Sequence, residues 1–273
     1  KRLRITTAGL NGIPFECLEY RDEETGHPVF VAEQFAVSYQ RTSGAVTESG
    51  PGAMNGSVPP ANMPDCEFVG FSPSSSPEKF SDVLDHADDE LDKINAMFAE
   101  RGYRSKVFKG EESDETTFLT QVPSASVIHI ATHARIDSDF PVRSGLKLWK
   151  ESPPSTGDEL IDGILELGEL RGMRLQCSLL TLSSCTLKGS RGSSDHDTHD
   201  PESFFLNAGA RNVLSSLWNV SDRHTRTLMC DFYRFVLNGD DYAEALRKAK
   251  VKMLRNPATA SPYLWASFIL STN

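Results

Sequence analysis

Three short apolar runs constrain the fold of this chain more than any other feature. They lie at residues 127–133 (VIHIATH), 179–185 (LLTLSSC) and 212–218 (NVLSSLW). Apolar runs of this length, without regular polar alternation, are typical of strands that are buried on both faces of a sheet. Helical periodicity predicts helices over 77–101, 201–208, 222–237 and 241–255. Strands that alternate with helices predict an α/β fold, a three-layer sandwich with a mostly parallel central sheet.

The rest of the sequence divides into an N-terminal part and a core. Residues 1–64 predict short strands and turns followed by a linker, because 49–64 are rich in Gly and Pro. Further strands are predicted at 3–6, 29–32, 35–39, 67–71, 106–108 and 267–270. We expect a single domain over residues 1–273, with 1–64 as N-terminal strands and linker and 65–273 as the core.

Composition narrows the class of protein. The 38 acidic and 28 basic side chains give a formal net charge of −10, which argues against direct binding of nucleic acid. No apolar run approaches the roughly 20 residues that span a bilayer, so no membrane partner is expected. The five cysteines are odd in number and form no C-x-x-C pair, which favours free thiols and a cytoplasmic setting. The chain begins without Met or a signal peptide, which suggests a processed piece or an excised domain.

Two residues stand at positions where parallel sheets bind ligands. His133 ends one apolar run and Cys185 ends another, and ligands bind beyond the carboxyl ends of such strands. If the strands are neighbours, the imidazole can take the thiol proton and later protonate a leaving amine. Taken singly, each has a plainer interpretation: a hydrogen-bonded structural histidine, and an unreactive buried cysteine.

Other candidate sites are weaker. His129 and His133 are four residues apart, but they lie in a β-rich run without a third ligand, so a packed sheet residue is favoured over zinc for His129. The acidic and histidine-rich stretch at 195–200 favours a solvated loop over a loose metal site. Asp137 favours a turn over a role in orienting the imidazole. Because no phosphate-binding glycine motif is present, we expect no cofactor.

Several longer segments resemble one family over residues 3–272. They are LNGIPFECLEY, HIATHARIDSDFPVRSGLKLW, LLTLSSCTLKGSRG, DPESFFLNAGARNVLSSLWNVSDRHTRTLMCDFYRFVLNG, YAEALRKAK and YLWASFIL. In this order they resemble the CHAT family of caspase-like peptidases, relatives of caspases and separase. The resemblance implies a caspase-like sandwich. Family members usually carry tetratricopeptide or other sensor modules upstream, and we expect none within this sequence.

The resemblance also implies roles for individual residues. His133 and Cys185 match the catalytic dyad, and the backbone N–H groups of Ala134 and Cys185 match the oxyanion hole. Ala134 stands where the family commonly has Gly, and Ser184 where it commonly has Ala. By resemblance to separase, Asp222 lines the pocket for the residue before the scissile bond. The alternative for Asp222 is an N-cap of the helix that follows.

The function implied is a cysteine endopeptidase that cleaves a protein or peptide substrate. Family members tend to be activated by a partner, so an activating protein, an RNA-guided complex or a sensor domain is expected, with a role in defence or a CRISPR-associated system as one setting. The alternative is a catalytically silent scaffold or binding module, in which Cys185 is unreactive.

Overall fold

The structure is a computed structural model, and it describes residues 1–6, 13–40, 65–73, 86–137, 139–150, 162–183 and 201–272. The strands are β1 (Arg2–Thr6), β2 (Glu19–Arg21), β3 (Pro28–Phe30), β4 (Ala36–Gln40), β5 (Glu67–Ser72), β6 (Arg104–Lys109), β7 (Val127–Ile130), β8 (Ala134–Arg135), β9 (Gly145–Lys147), β10 (Ile164–Glu166), β11 (Leu179–Leu182), β12 (Asn212–Ser216) and β13 (Phe268–Thr272). The helices are α1 (Val31–Gln34), α2 (Ala87–Ala99), α3 (Glu115–Gln121), α4 (Pro201–Asn207), α5 (Asp222–Leu237), α6 (Tyr242–Leu254) and α7 (Pro262–Trp265).

A large central sheet organises the described residues. Its eight strands follow the order β1-β4-β13-β12-β11-β7-β5-β6. Every neighbouring pair in it is parallel except β12 and β13. A three-stranded sheet (β10-β9-β8) and a two-stranded sheet (β2-β3) lie apart from it. The predicted mostly parallel sheet is therefore confirmed.

Helices cover the sheet because its strands are apolar on both faces. Along β5, Phe68 packs in the core with α2, α5 and α6, while its neighbour Val69 packs in the core with α3 and α4. The same alternation places Leu179 in the first core and Leu180 in the second. This period of two, with apolar residues at both phases, explains the continuous apolar runs and confirms the three layers.

The helices predicted over 201–208, 222–237 and 241–255 match α4, α5 and α6 to within one residue at each end. Two aspartates cap helices: Asp114, before the unpredicted α3, accepts from Thr117 N at 2.6 Å, and Asp241, before α6, accepts from Glu244 N at 3.2 Å. The strand predicted at 29–32 is partly wrong, since β3 ends at Phe30 and α1 follows. The helix predicted over 77–101 is shorter than expected: α2 begins at Ala87, after a turn at His86, and residues 74–85 lie outside the described residues.

Two of the N-terminal strands, β1 and β4, belong to the central sheet, since β4 pairs with both β1 and β13. The boundary predicted between residues 1–64 and 65–273 stays a prediction. No helix among the described residues is both long and apolar enough to cross a membrane.

Candidate active site

His133 lies just beyond the carboxyl end of β7, an interior strand of the central sheet. The strand ends at Ile130, and the half-buried His133 leads directly into β8. Its backbone oxygen accepts a hydrogen bond from Lys147 N at 2.9 Å. The imidazole is therefore carried on a segment that the small sheet β8-β9-β10 fixes in place.

The small sheet holds its form through one close contact and one ion pair. A Cβ atom on Gly145 would lie 2.3 Å from the carbonyl oxygen of Leu165, so only glycine allows β9 to approach β10 this closely. Arg135, in the strand that follows His133, forms an ion pair of 2.6 Å with Glu166 in β10. These contacts orient the backbone on both sides of the histidine.

The amide of Ala134 is directed away from β9. Antiparallel pairs alternate between hydrogen-bonded and non-hydrogen-bonded kinds. The pair of His133 and Lys147 is of the first kind, because Lys147 N bonds His133 O, and the next pair joins Ala134 and Leu146. The Ala134 pair is then of the second kind, with its N–H on the side of β8 opposite β9. An amide in this position can donate to a bound oxyanion.

Cys185, the predicted nucleophile, lies outside the described residues. The strand before it is described: β11 pairs with β7 in parallel, and Leu182 lies opposite Ile130, an offset of 52 residues (182 minus 130). The bond from Ser183 N to Ile130 O, 3.0 Å long, continues the pairing past the strand end. In sequence, the same offset of 52 separates His133 from Cys185.

The other four cysteines have the character of unreactive thiols. Burial raises the pKa of the Cys66 and Cys230 thiols to about 11, and that of Cys177 to about 12. Burial also raises the pKa of the half-buried Cys17, and the neighbouring Glu16 charge adds to the effect. Since only the thiolate is a good nucleophile, these four side chains react slowly at neutral pH.

Asp222 links the first turns of two helices. It is the first residue of α5, so the N-cap position belongs to Ser221, and the predicted role as N-cap is wrong by one residue. One carboxylate oxygen of Asp222 accepts a hydrogen bond from the backbone N of His86 at 2.6 Å, just before α2. An ion pair between Arg226 and Asp89 joins the same two helices. The Asp222 carboxylate therefore has a structural partner that the sequence did not reveal.

His129 is a packed sheet residue, as the sequence favoured over a zinc ligand. It is fully buried, its Nε2 lies 2.8 Å from Glu90 Oε1, and its Nδ1 lies 3.1 Å from the Tyr233 hydroxyl. The Tyr233 hydroxyl also lies 2.9 Å from Thr181 Oγ1. One assignment of protons accounts for all three hydrogen bonds: Thr181 donates to Tyr233, Tyr233 donates to His129, and His129 donates to Glu90. The network joins β7 and β11 on the face covered by α2 and α5.

Two further sequence predictions have plain outcomes. Asp137 forms a turn, because its side chain accepts from the backbone N of Asp139 at 3.1 Å and of Phe140 at 2.8 Å. The stretch at 195–200 lies outside the described residues.

Comparison with protein families decides the assignment. The family described as "CHAT domain" matches residues 3–273. The chain belongs to the CHAT domain family. No curated protein matches this CHAT domain in sequence.

Solved structures similar to the CHAT domain include those of a separase and of a caspase. Two crystal structures of the Saccharomyces cerevisiae separase–securin complex match 76% of this chain, at 13% and 14% identity and TM-scores of 0.45 and 0.44. The match spans only 12% of the chain in those structures. The Drosophila initiator caspase Dronc matches 82% of this chain and 85% of its own, at 8% identity and a TM-score of 0.46.

Proposed function

We propose that this CHAT domain is a cysteine endopeptidase in which Cys185 is the nucleophile and His133 the general base and acid. The observation that carries the proposal is the pairing of β7 with β11. The two strands are neighbours, and His133 and Cys185 each follow the last paired residue by three positions. Family membership supports the proposal, because the resemblance to the CHAT family implies that His133 and Cys185 match its catalytic dyad.

The reaction uses the chain's own groups throughout. His133 takes the Cys185 proton, and the thiolate sulfur attacks the carbonyl carbon of the scissile peptide bond. The backbone amides of Ala134 and Cys185 stabilise the oxyanion, and donors of this kind contribute about 10²- to 10³-fold in rate. The imidazolium then protonates the leaving amine, which departs and leaves a thioester. Water, deprotonated by His133, releases the carboxylic acid and restores the thiol.

The domain acts on protein or peptide substrates in the cytoplasm, under the control of an activating partner. An activating protein, an RNA-guided complex or an attached sensor domain fits this role, as does a setting in defence. The chain spans a small part of the separase chains it matches, so other parts of a longer protein can supply such control. The net charge of −10 disfavours direct binding of nucleic acid by this domain, so any nucleic-acid contact is made by the partner.

Selective alkylation tests the dyad without any knowledge of the substrate. We expect iodoacetamide at pH 7 to label Cys185 about 100-fold faster than Cys66, Cys177 and Cys230, because only an imidazole-paired thiol is appreciably ionised there. Peptide mass spectrometry gives the rate at each cysteine. The His133→Ala variant should lose the selective labelling, while a control, His27→Ala on the exposed turn before β3, should keep it.

The competing function is a catalytically silent scaffold, and the same experiment separates the two. Equal and slow labelling of all five cysteines in the wild type would support the scaffold and end the peptidase proposal. Fast labelling of Cys185 that persists in His133→Ala would show a reactive thiol whose activation does not come from this histidine.

We further propose that Asp222 sets a preference for Arg or Lys before the scissile bond. A charge-assisted bond to a substrate cation in a partly desolvated pocket contributes about 1.5–3 kcal/mol, or roughly ten- to a hundredfold in selectivity. Because His86 N donates to the Asp222 carboxylate, a variant without a hydrogen-bond acceptor at position 222 also loses the contact that holds the start of α2.

The Asp222→Asn variant separates charge from structure. The amide oxygen of Asn still accepts from His86 N, so the two helices stay joined while the negative charge is lost. We expect a peptide library cleaved by the activated enzyme to show a basic preference in wild type and none in Asp222→Asn, with unchanged thermal stability. Absence of a basic preference in the wild type, or its persistence in the Asn variant, would leave Asp222 with the structural role alone.

A further inference from the structure

Two stacked aromatic rings lie at the edge of the sheet where the proposed dyad is found. The rings of Trp218 and Tyr263 have centroids 6.1 Å apart and planes inclined by 21°. Tyr263 is 58% exposed, and Trp218 is half-buried against the core. Large exposed aromatic groups of this kind are typical of binding surfaces rather than of packing alone.

Strand register places Trp218 just past the carboxyl end of β12, the strand next to β11. Strands β11 and β12 pair in parallel with Thr181 opposite Leu214, an offset of 33 residues (214 minus 181). In sequence, the same offset of 33 separates Cys185 from Trp218. Strands β11 and β12 are neighbours, about 4.8 Å apart. Trp218, which follows the end of β12, is therefore about one strand spacing from the end of β11, the strand that precedes Cys185 in the sequence.

Tyr263 reaches the same edge from the other direction. Strand β13 runs antiparallel to β12, and its first residue, Phe268, lies opposite Ser216, the last residue of β12. Helix α7, which contains Tyr263, precedes β13 and therefore lies at the carboxyl end of β12. The ends of β7, β11 and β12 and the aromatic pair thus share one edge of the sheet.

Hydrogen bonds fix both rings before any ligand arrives. The Tyr263 hydroxyl donates to the carbonyl oxygen of Asn219 at 2.8 Å, and the Trp218 indole N–H donates to the carbonyl oxygen of Tyr263 at 3.0 Å. Each ring is held to the backbone of the segment that carries the other, and stacking adds to the restraint. A rigid aromatic surface loses little conformational entropy on binding, which favours its use for recognition.

We infer that Trp218 and Tyr263 form a subsite for an apolar side chain of the substrate peptide. The inference rests on the proposed peptidase function and extends it to the substrate class. An extended peptide advances about 3.4 Å per residue, so a surface one or two strand spacings from the nucleophile meets a residue within about three positions of the scissile bond. Asp222, proposed for the residue before that bond, follows Trp218 in the same connection, which places the subsite on the amino-terminal side.

Peptidyl acyloxymethyl ketones test the subsite, because the nucleophilic sulfur displaces their carboxylate and the thioether accumulates even in a weakly active enzyme. The set carries Leu, Phe or Ser at each of the second, third and fourth positions before the electrophile. In wild type we expect alkylation of Cys185 to be about tenfold faster with Leu or Phe than with Ser at one of these positions. In Tyr263→Ala that ratio should fall below about threefold, while Tyr263→Phe, which keeps the ring, should retain it.

Three results would overturn the inference. They are a wild type without apolar preference at all three positions, an unchanged preference in Tyr263→Ala, and an equal loss in the Phe variant, which would place the effect on the Asn219 hydrogen bond. Iodoacetamide labelling of Cys185 is the internal control. If it proceeds equally in all three proteins, failure concerns the subsite alone; if the wild type shows no selective labelling by any reagent, the peptidase proposal fails and the subsite with it.

Discussion

Replacing Lys250 with Met should lower the free energy of unfolding by about 3–5 kcal/mol, since it leaves a carboxylate buried without its cation. Lys250 lies on α6, is almost fully buried, and forms an ion pair of 2.8 Å with the equally buried Glu16. The second oxygen of Glu16 accepts from the Tyr39 hydroxyl in β4. Chemical denaturation of Lys250→Met and wild type, with the slope of each transition compared, measures the loss.

Two controls separate burial from simple loss of charge. Arg2→Ala breaks an ion pair with Asp241 whose arginine side chain is 70% exposed, and it should change stability by less than about 1 kcal/mol. The double variant Glu16→Leu with Lys250→Met removes both charges and should recover most of the loss. A loss below about 1 kcal/mol in Lys250→Met would contradict the buried pair.

This ion pair joins two distant segments of the chain that both carry the family resemblance. Glu16 belongs to LNGIPFECLEY and Lys250 to YAEALRKAK, and the fold brings them into contact across 234 positions of sequence. The pair fastens the N-terminal segment to α6, beside the strand β4 that extends the central sheet. We therefore expect its loss to destabilise the N-terminal part most.

Replacing Glu115 with Gln should stabilise the domain at high pH but not at low pH. Burial, together with the charges of Glu169 and Asp162, raises the pKa of the Glu115 carboxyl from 4.5 to about 7. The folded state then holds this proton more tightly than the unfolded state. The free energy of unfolding is therefore unaffected by this group below about pH 4.5. It falls as the pH rises from 4.5 to 7, by up to about 3 kcal/mol in total.

The Gln variant keeps the contact while removing the titration. Glu115 accepts from Gly163 N at 3.3 Å, just before β10 of the small sheet that fixes His133, and the Gln amide oxygen can do the same. The stability gain of Glu115→Gln over wild type should therefore grow by up to about 3 kcal/mol between pH 5 and pH 8. The exposed Glu111→Gln serves as control. A gain that is constant with pH would show that Glu115 titrates as an ordinary carboxyl.

The sequence predicted those features that depend on neighbours along the chain. Apolar runs such as 127–133 located the buried strands, and the chemistry of aspartate located the turn at Asp137. The position of His133 at a strand end followed from the same run. These features depend on local periodicity and on the side-chain bonding of single residues, which a sequence displays directly.

Other features depend on contacts between distant segments, which no local pattern displays. The sequence did not reveal the small sheet around His133, because β8 has only two residues and its pairing with β9 crosses the turn at Asp137. The bond from His86 N to Asp222 spans 136 positions, and the buried bond from His129 to Glu90 spans 39. Charged residues such as Glu90 had no sequence signal beyond a polar position on an amphipathic helix.

The central claim is that Cys185 and His133 act together to cleave peptide bonds. The direct measurement is hydrolysis of a peptide library by the activated domain, followed by mass spectrometry, for wild type, Cys185→Ala and His133→Ala. We predict that each variant loses at least about 10³-fold in kcat/KM, and that the double variant loses little more, because the two residues act as a unit. Near-ultraviolet circular dichroism should show the native fold in all of them. Retained cleavage by a folded Cys185→Ala variant would contradict the account.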